Sequence, residues 1–386
     1  MNTPRLARRM QQIAPFRVME ILAQAKQLEA QGRDLVHMEV GEPDFPAPPQ
    51  VIEAAQAALA RGKTHYTAAC GLPRLREALA GYYADRFGVE VDPRRIILTP
   101  GASGALQLVL GVLVDPGERV LLQDPGYPCN RHMVQMFGGQ AVALPPMAHG
   151  FDAAAVTRAL SGARGLMLAT PANPTGEVIP LDQLGQVHGA LDTSRQFLLV
   201  DEIYQGLQYD GVPQTALSLG EPGLFVINSF SKFFGMTGFR LGWLVAPEEY
   251  VESLQRLAQN LFLAPSTIAQ HAAMAVFSEQ TLQELERRRQ VFARRREVLF
   301  EGLRSLGFAL PEQMPQGAFY VYAGLNGMAA SGVEFCRQML EQAGVAITPG
   351  LDFGQQDTAR SLRFAYTTDE SRIAVGLARM REFLGR

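Results

Sequence analysis

Lysine is nearly missing from this chain. Of its 35 lysines and arginines only Lys26, Lys63 and Lys232 are lysine. Cysteine is as scarce: Cys70, Cys129 and Cys336 stand far apart without metal-ligand spacing, and an odd number cannot all pair within one chain. A disulfide scaffold and a cysteine metal site are thereby disfavoured, no metal is expected, and a reducing cytoplasm fits. No apolar run reaches the length of a membrane span. Charged residues are only 19% of the chain and the net charge is −3, so no strong basic field points to nucleic acid or an anionic membrane. Arg5, Arg8, Arg9 and Arg17 precede the first acid, Glu20. Without serine enrichment, and leading directly into a helical pattern, they read as a surface arm rather than a transit peptide.

The place where a lysine is kept is therefore informative. Lys26 and Lys63 lie in polar contexts and read as surface residues. Lys232 lies in Ser229-Phe230-Ser231-Lys232-Phe233-Phe234-Gly235-Met236-Thr237-Gly238-Phe239-Arg240, poor in charge and rich in Ser and Gly. A guanidinium stays charged at any working pH, whereas an ammonium can lose its proton and attack a carbonyl. Schiff-base chemistry is the reading for Lys232.

A length of 386 residues and 47% hydrophobic content suit one large domain with a smaller one attached. Residues 14–31 read as an amphipathic helix, and 35–40 as an extended segment entering Gly41-Glu42-Pro43-Asp44-Phe45. From about 50 to 245, helical patterns alternate with apolar runs at 95–98, 119–122, 165–169, 197–200 and 224–228. Continuously apolar strands separated by helices predict a mostly parallel sheet covered on both faces. A charged helix is expected over about 279–306, and strands at 318–322, 345–347 and 361–365 suggest a terminal α+β unit. The triplets Arg287-Arg288-Arg289 and Arg294-Arg295-Arg296, near Glu284, Glu286 and Glu297, read as a solvated helix face rather than a nucleic-acid patch.

In a doubly wound sheet the ligand lies outside the strand C-termini, and the informative polar residues fall there. Strand 95–98 leads into Thr99-Pro100-Gly101-Ala102-Ser103-Gly104-Ala105, where small residues open a helix and let backbone N–H groups approach an anion. Tyr127 follows the next strand and offers an aromatic face, or packs in the core. Asn173, held between prolines, is a rigid amide, or part of a tight turn. Asp201 ends strand 197–200, followed by Tyr204; a carboxylate there favours a protonated ring nitrogen, or caps a helix. Anion cradle, aromatic platform, amide, carboxylate, phenol and lysine are the inventory for pyridoxal phosphate.

On these residues the sequence resembles the class I/II aminotransferases of the fold type I pyridoxal-phosphate superfamily. The likeness runs from GEPDF at 41–45 to the Arg363 segment, and is most specific in SFSKFFGMTGFRLG at 229–242. It implies an α/β fold with a large domain of residues 46–275, built on a seven-stranded, mostly parallel sheet. Both termini, 1–45 and 276–386, would form a smaller α+β domain. It implies Lys232 as the lysine that forms the cofactor aldimine and then shuttles a proton. Asp201 would pair with the pyridinium nitrogen, Tyr204 and Asn173 with the ring's phenolic oxygen, and Tyr127 would stack on the ring. Ala102, Ser103, Ser229 and Arg240 would hold the phosphate. Arg363 and Gly41 would contact the substrate, Arg363 through its α-carboxylate. Tyr66 would reach the phosphate of a partner subunit, making a homodimer with shared active sites.

The expected activity is ping-pong transfer of an amino group from an L-amino acid to a 2-oxo acid. Ser103 stands where a dicarboxylate-preferring branch of the family often has lysine, and no second cation is evident for a side-chain carboxylate. A neutral or broad donor range is therefore favoured over strict aspartate specificity. A carbon–sulfur β-lyase on the same fold is the alternative. A non-enzymatic ligand sensor is disfavoured, because only about forty residues precede GEPDF and they are not basic enough to bind DNA.

Overall fold

The computed structural model describes residues 5–145, 147, 150–356 and 358–386. Twelve strands are assigned among them: β1 (Val36–His37), β2 (Ile96–Thr99), β3 (Arg119–Leu122), β4 (Gln140–Ala143), β5 (Gly165–Ala169), β6 (Phe197–Asp201), β7 (Leu224–Ser229), β8 (Gly242–Val245), β9 (Tyr320–Gly324), β10 (Val345–Ala346), β11 (Thr348–Pro349) and β12 (Ser361–Ala365). Seven form the central sheet in the order β2-β8-β7-β6-β5-β3-β4. β3 to β7 are mutually parallel, while β8 runs antiparallel to both β2 and β7.

Both faces of this sheet are dry, which explains its unbroken apolar strands. In β6 the side chains alternate between two separate cores: Leu198 and Val200 enter one, Phe197 and Leu199 the other. In chain order the first α-helices are α1 (Arg17–Ala30), α2 (Pro49–Ala60), α3 (Pro73–Phe87), α4 (Gly101–Leu113) and α5 (Pro128–Met136). Of these, α3, α4 and α5 pack on strands of this sheet, while α1 packs on β10 and β11 and α2 on other helices. α4 is apolar nearly throughout, with nine buried residues, because it packs against the sheet with helices on its outer side. None of the helices among the described residues is long and apolar enough to cross a membrane.

The register sets the site. Ala169 pairs with Asp201, and Gly242 pairs with both Ser229 and Thr99. The ends of β5, β6, β7 and β2 therefore lie in one row, and the loops after them open on one side.

Chain termini meet beyond this edge. β1 pairs parallel with β10, and β11, β12 and β9 form an antiparallel sheet in that order. Ala365 N–H donates to Met38 O, which ties β12 to the segment entering GEPDF.

The arginine-rich helix Glu279–Ser305 corrects the expectation of a solvated face. Arg287 and Arg294 are exposed, but Arg288, Arg295 and Arg296 are buried. Arg295 donates through Nη1 and Nη2 to the two Asp44 carboxylate oxygens at 2.8 and 2.9 Å. Arg288 Nη1 donates to Pro46 O at 2.6 Å, and Arg296 reaches Asp210 and Pro315 O. The Arg288 and Arg295 guanidinium carbons each lie 5.2 Å from the Phe45 ring centroid. Composition signalled charge, whereas the fold uses the forked donors to fasten a loop that has few backbone partners.

Arg295 is buried and bidentate, whereas its partner Asp44 is partly exposed, so removing the arginine loses two charge-assisted hydrogen bonds and leaves a carboxylate that water can reach. Arg295→Ala is expected to lower the unfolding free energy by about 2 kcal/mol in urea titration. Arg287→Ala, which breaks a surface pair with Glu284, should change it by less than about 0.5 kcal/mol. Equal effects would contradict this account of the helix.

Candidate active site

The loops at the sheet edge enclose a cavity of about 380 Å³. Of the twelve residues singled out in the sequence, eleven line it: Gly41, Ala102, Ser103, Tyr127, Asn173, Asp201, Tyr204, Ser229, Lys232, Arg240 and Arg363. Tyr66 does not. It is 83% exposed at the surface of the chain, in the loop after α2.

Lys232 follows the end of β7. Its stem keeps some contact with the open cavity, but Nζ is enclosed and donates to Gly41 O at 2.6 Å. Burial pushes its pKa down to about 8, against an ordinary value of 10.5. Glu42 opposes that shift, Arg363 and Arg240 add to it, and Asp201 opposes it more weakly. The Tyr204 and Phe319 rings flank the amine at 5.9 and 5.8 Å.

Asp201 terminates β6 and is buried. Its Oδ1 accepts from Ile203 N–H at 3.0 Å, yet desolvation outweighs that bond and raises the carboxyl pKa to about 6. A buried carboxylate with one local donor is electrostatically short of a cation. Tyr204 Oη lies 2.8 Å from Tyr320 Oη, and burial raises its pKa well above the ordinary phenol value.

The anion cradle has a steric origin. α4 begins at Gly101 without a side-chain cap, so the Ala102 and Ser103 N–H groups face the cavity unclaimed by a cap. Gly242 makes the approach possible: a Cβ there would lie 2.7 Å from Gly101 C and 2.8 Å from Ala102 N. Gly101 itself is left-handed, at φ +69°, and a Cβ on it would meet Arg240 Nη2 at 2.8 Å. Arg240 is exposed and is held by donation from Nη1 to Thr237 O at 3.0 Å. Ser229 Oγ donates to Ser231 Oγ at 2.9 Å.

Arg363, in β12, closes the opposite side. It is almost wholly buried, donates from Nη1 to Asn173 Oδ1 at 3.0 Å and from Nη2 to Glu39 O, and its Nε has no partner among the described residues. Its guanidinium carbon stacks 4.3 Å from the Tyr320 centroid and 4.6 Å from that of Phe353. The Asn173 carbonyl is thereby engaged, so what Asn173 offers a ring oxygen is its Nδ2 donor.

Sequence reading overlooked several lining residues: Glu42, Tyr320, and Phe16, Val18 and Met19 at the start of α1. Glu42 lay within GEPDF and was there to be found. Tyr320 reads locally as a core residue of a strand. α1 carries an ordinary amphipathic pattern, and it is tertiary contacts that seat it over the cavity, among them the bond from Val18 N–H to Asp352 Oδ2 at 3.1 Å.

A buried amine, a buried carboxylate, an uncapped helix start and a buried arginine around one cavity define a fold type I pyridoxal-phosphate enzyme. Residues 33–380 match the family described as aminotransferase class I and II. Curated relatives include the valine–pyruvate aminotransferase of Mycobacterium tuberculosis, 36% identical over 96% of this chain and 97% of that protein. The aspartate/prephenate aminotransferase of Thermus thermophilus is 36% identical over 99% of both. A crystal structure of an aminotransferase from Mycobacterium tuberculosis superposes with a TM-score of 0.95 at 35% identity, covering 99% of this chain and 100% of that one. The chain belongs to the class I and II aminotransferases, and it is a pyridoxal-phosphate-dependent transferase.

With Lys26 and Lys63 both exposed, labelling the cofactor-free protein with a small amine reagent reports on all three lysines separately by peptide mass analysis. Modification of Lys232 should rise with pH with a midpoint near 8, because only the neutral amine attacks. A rise confined to pH above about 10 would show an amine in an ordinary environment.

Proposed function

We propose that the protein transfers the α-amino group of a neutral, mainly apolar L-amino acid to a 2-oxo acid, in two half-reactions at this one cavity. The carrying observation is the convergence there of Lys232, Asp201 and Arg363. Pyridoxal phosphate, when bound, supplies a protonated conjugated ring that accepts the electron pair of the donor's Cα–H bond. Lys232 Nζ would hold the cofactor, and the same amine, once released, would carry the proton that leaves the donor's Cα. A lysine with its pKa lowered to about 8 suits both directions of that transfer.

The remaining roles follow from what each group can offer. Asp201 keeps the ring nitrogen protonated, gaining the cation its burial lacks. Tyr204 and Asn173 donate to the ring oxygen, and Tyr127 packs on the ring, its own ring braced edge-on by Phe16 at 6.2 Å. The Ala102 and Ser103 N–H groups, the Ser103 and Ser229 hydroxyls and Arg240 take the phosphate. Arg363 takes the donor's α-carboxylate with its planar fork, and Gly41 contributes backbone contact.

Donor preference rests on the walls. Phe16, Val18, Met19, Val40 and Leu106 supply apolar surface, and Lys232, Arg240 and Arg363 are the lysine and arginines of the lining. Each has a role already, which leaves none for a second carboxylate. Nearby Arg17 and Arg131 are directed at Asp352 instead.

Residues 46–275 form the cofactor-holding domain and residues 1–45 with 276–386 the smaller one, a division supported by the β1–β10 pairing of the two terminal segments. A homodimer with shared sites accounts for Tyr66, whose exposed ring suits contact with a partner's phosphate site. Three free cysteines suit the cytoplasm.

Steady-state comparison of donors tests the substrate class. With pyruvate or 2-oxoglutarate as acceptor, kcat/KM for L-valine or L-phenylalanine should exceed that for L-aspartate by on the order of tenfold. A preference for aspartate would overturn this assignment of donor.

A further inference from the structure

Tyr320 has no part in the roles given above, yet it touches three residues that do. It opens β9, is 1% exposed, and lines the cavity. Its Oη lies 2.8 Å from Tyr204 Oη, and its ring lies under the Arg363 guanidinium at 4.3 Å. It also occupies the volume beside Gly41: a Cβ on that glycine would lie 1.8 Å from Tyr320 Oη. The Gly41 carbonyl is the acceptor for Lys232 Nζ. One phenol therefore meets the tyrosine, the arginine and the backbone turn that surround the reacting groups.

We propose that Tyr320 is a positioning residue for transamination: its hydroxyl sets Tyr204 as a donor, and its ring sets the Arg363 guanidinium. This inference rests on Tyr204 donating to the cofactor's ring oxygen. Both phenols are neutral, since burial raises each above its ordinary pKa. A phenol has one proton, so a single proton lies between the two oxygens and the other must point elsewhere. If Tyr204 gave its proton to Tyr320, it would have none for a ring oxygen. When Tyr320 donates to Tyr204 instead, the Tyr204 proton is free to face the cavity, and the first bond polarises the second. Phenylalanine at 320 would preserve packing but lose this device. The aromatic floor beneath Arg363 is a separate contribution, because it depends on the ring and not on the hydroxyl.

Donation to the ring oxygen stabilises its anionic form, and so lowers the pH at which the cofactor–lysine link loses its proton. That pH is read from the visible absorption of the loaded enzyme. The charged and titratable groups facing Lys232 and the two phenols are Glu42, Asp201, Arg240, Arg363 and Tyr127. None of these changes in the variants.

The test compares holoenzymes carrying Y204F, Y320F, both together, and Y320L, with near-UV circular dichroism to verify folding. Y204F is expected to raise the spectral midpoint, and Y320F to raise it by about half a pH unit. The double variant should match Y204F alone, because the Tyr320 hydroxyl acts only through Tyr204. Y320F should leave the donor KM within about twofold, while Y320L should raise it roughly fivefold or more. A midpoint unmoved by Y320F but moved by Y204F would overturn the inference and leave the role of Tyr204 intact. Fully additive shifts would do the same. A midpoint unmoved by Y204F would overturn the assigned role of Tyr204 and this inference with it.

Discussion

The site depends on bringing the uncharged form of Lys232 within reach of neutral pH, which its burial does by lowering its pKa to about 8. An ammonium loses strong hydration on burial, and no carboxylate forms an ion pair with it among the described residues to restore the loss. Its one hydrogen-bond acceptor is a neutral carbonyl, Gly41 O, and the nearest rings are those of Tyr204 and Phe319. Burial outweighs the support Glu42 gives the charged form, two arginines repel that form, and Asp201, which favours it more weakly, is itself pushed toward neutrality. The amine that results is available to attack carbonyls near neutral pH. Arginine could not do this, which explains why a chain that otherwise strongly favours arginine keeps lysine here.

Arginine, in turn, does what lysine would do poorly. The Gly41 carbonyl must be held where Nζ can reach it, and GEPDF has few backbone hydrogen bonds of its own. Arg295 grips Asp44 bidentately, Arg288 holds Pro46 O, and both cover the Phe45 ring. Forked donors and flat cations suit such a loop better than a point charge on a flexible stem. On the other side, Arg363 is fixed by Asn173 and Glu39 O and by the Tyr320 ring, and its Nε is not engaged among the described residues. Pre-ordering of this kind lowers the entropy lost when a substrate carboxylate is bound.

How much of this was legible in the sequence depends on whether the cause was local. Strands 119–122, 165–169 and 361–365 were read to the residue, the first two as largely apolar runs and the third as an alternating one. Ten of the eleven singled-out residues at the cavity sit at strand ends, helix starts or turns whose chemistry is written within a few positions; Arg363 is within a strand. β4 was missed because Gln140–Ala143 is a half-exposed edge strand with a weak pattern. The antiparallel course of β8 could not be seen, because strand direction comes from the connection and not from composition. Burial of Arg288, Arg295 and Arg296 was misread, since a charged helix face looks the same whether water or a distant loop satisfies it. The helix α1 was read, but its place over the cavity, like the role of Tyr320, escaped for the same reason: the partners lie more than a hundred residues away in the chain.

The most direct test of the central claim is a single half-reaction. Enzyme loaded with pyridoxal phosphate is mixed with one L-amino acid and no 2-oxo acid, and the visible absorption and released 2-oxo acid are followed together. An amine at Lys232 that both holds the cofactor and moves the proton predicts loss of the visible band with one equivalent of 2-oxo acid per site, and its return when a 2-oxo acid is added. Lys232→Ala should show neither change. A band that persists with every donor, or 2-oxo acid that keeps accumulating alongside ammonia, would contradict the account.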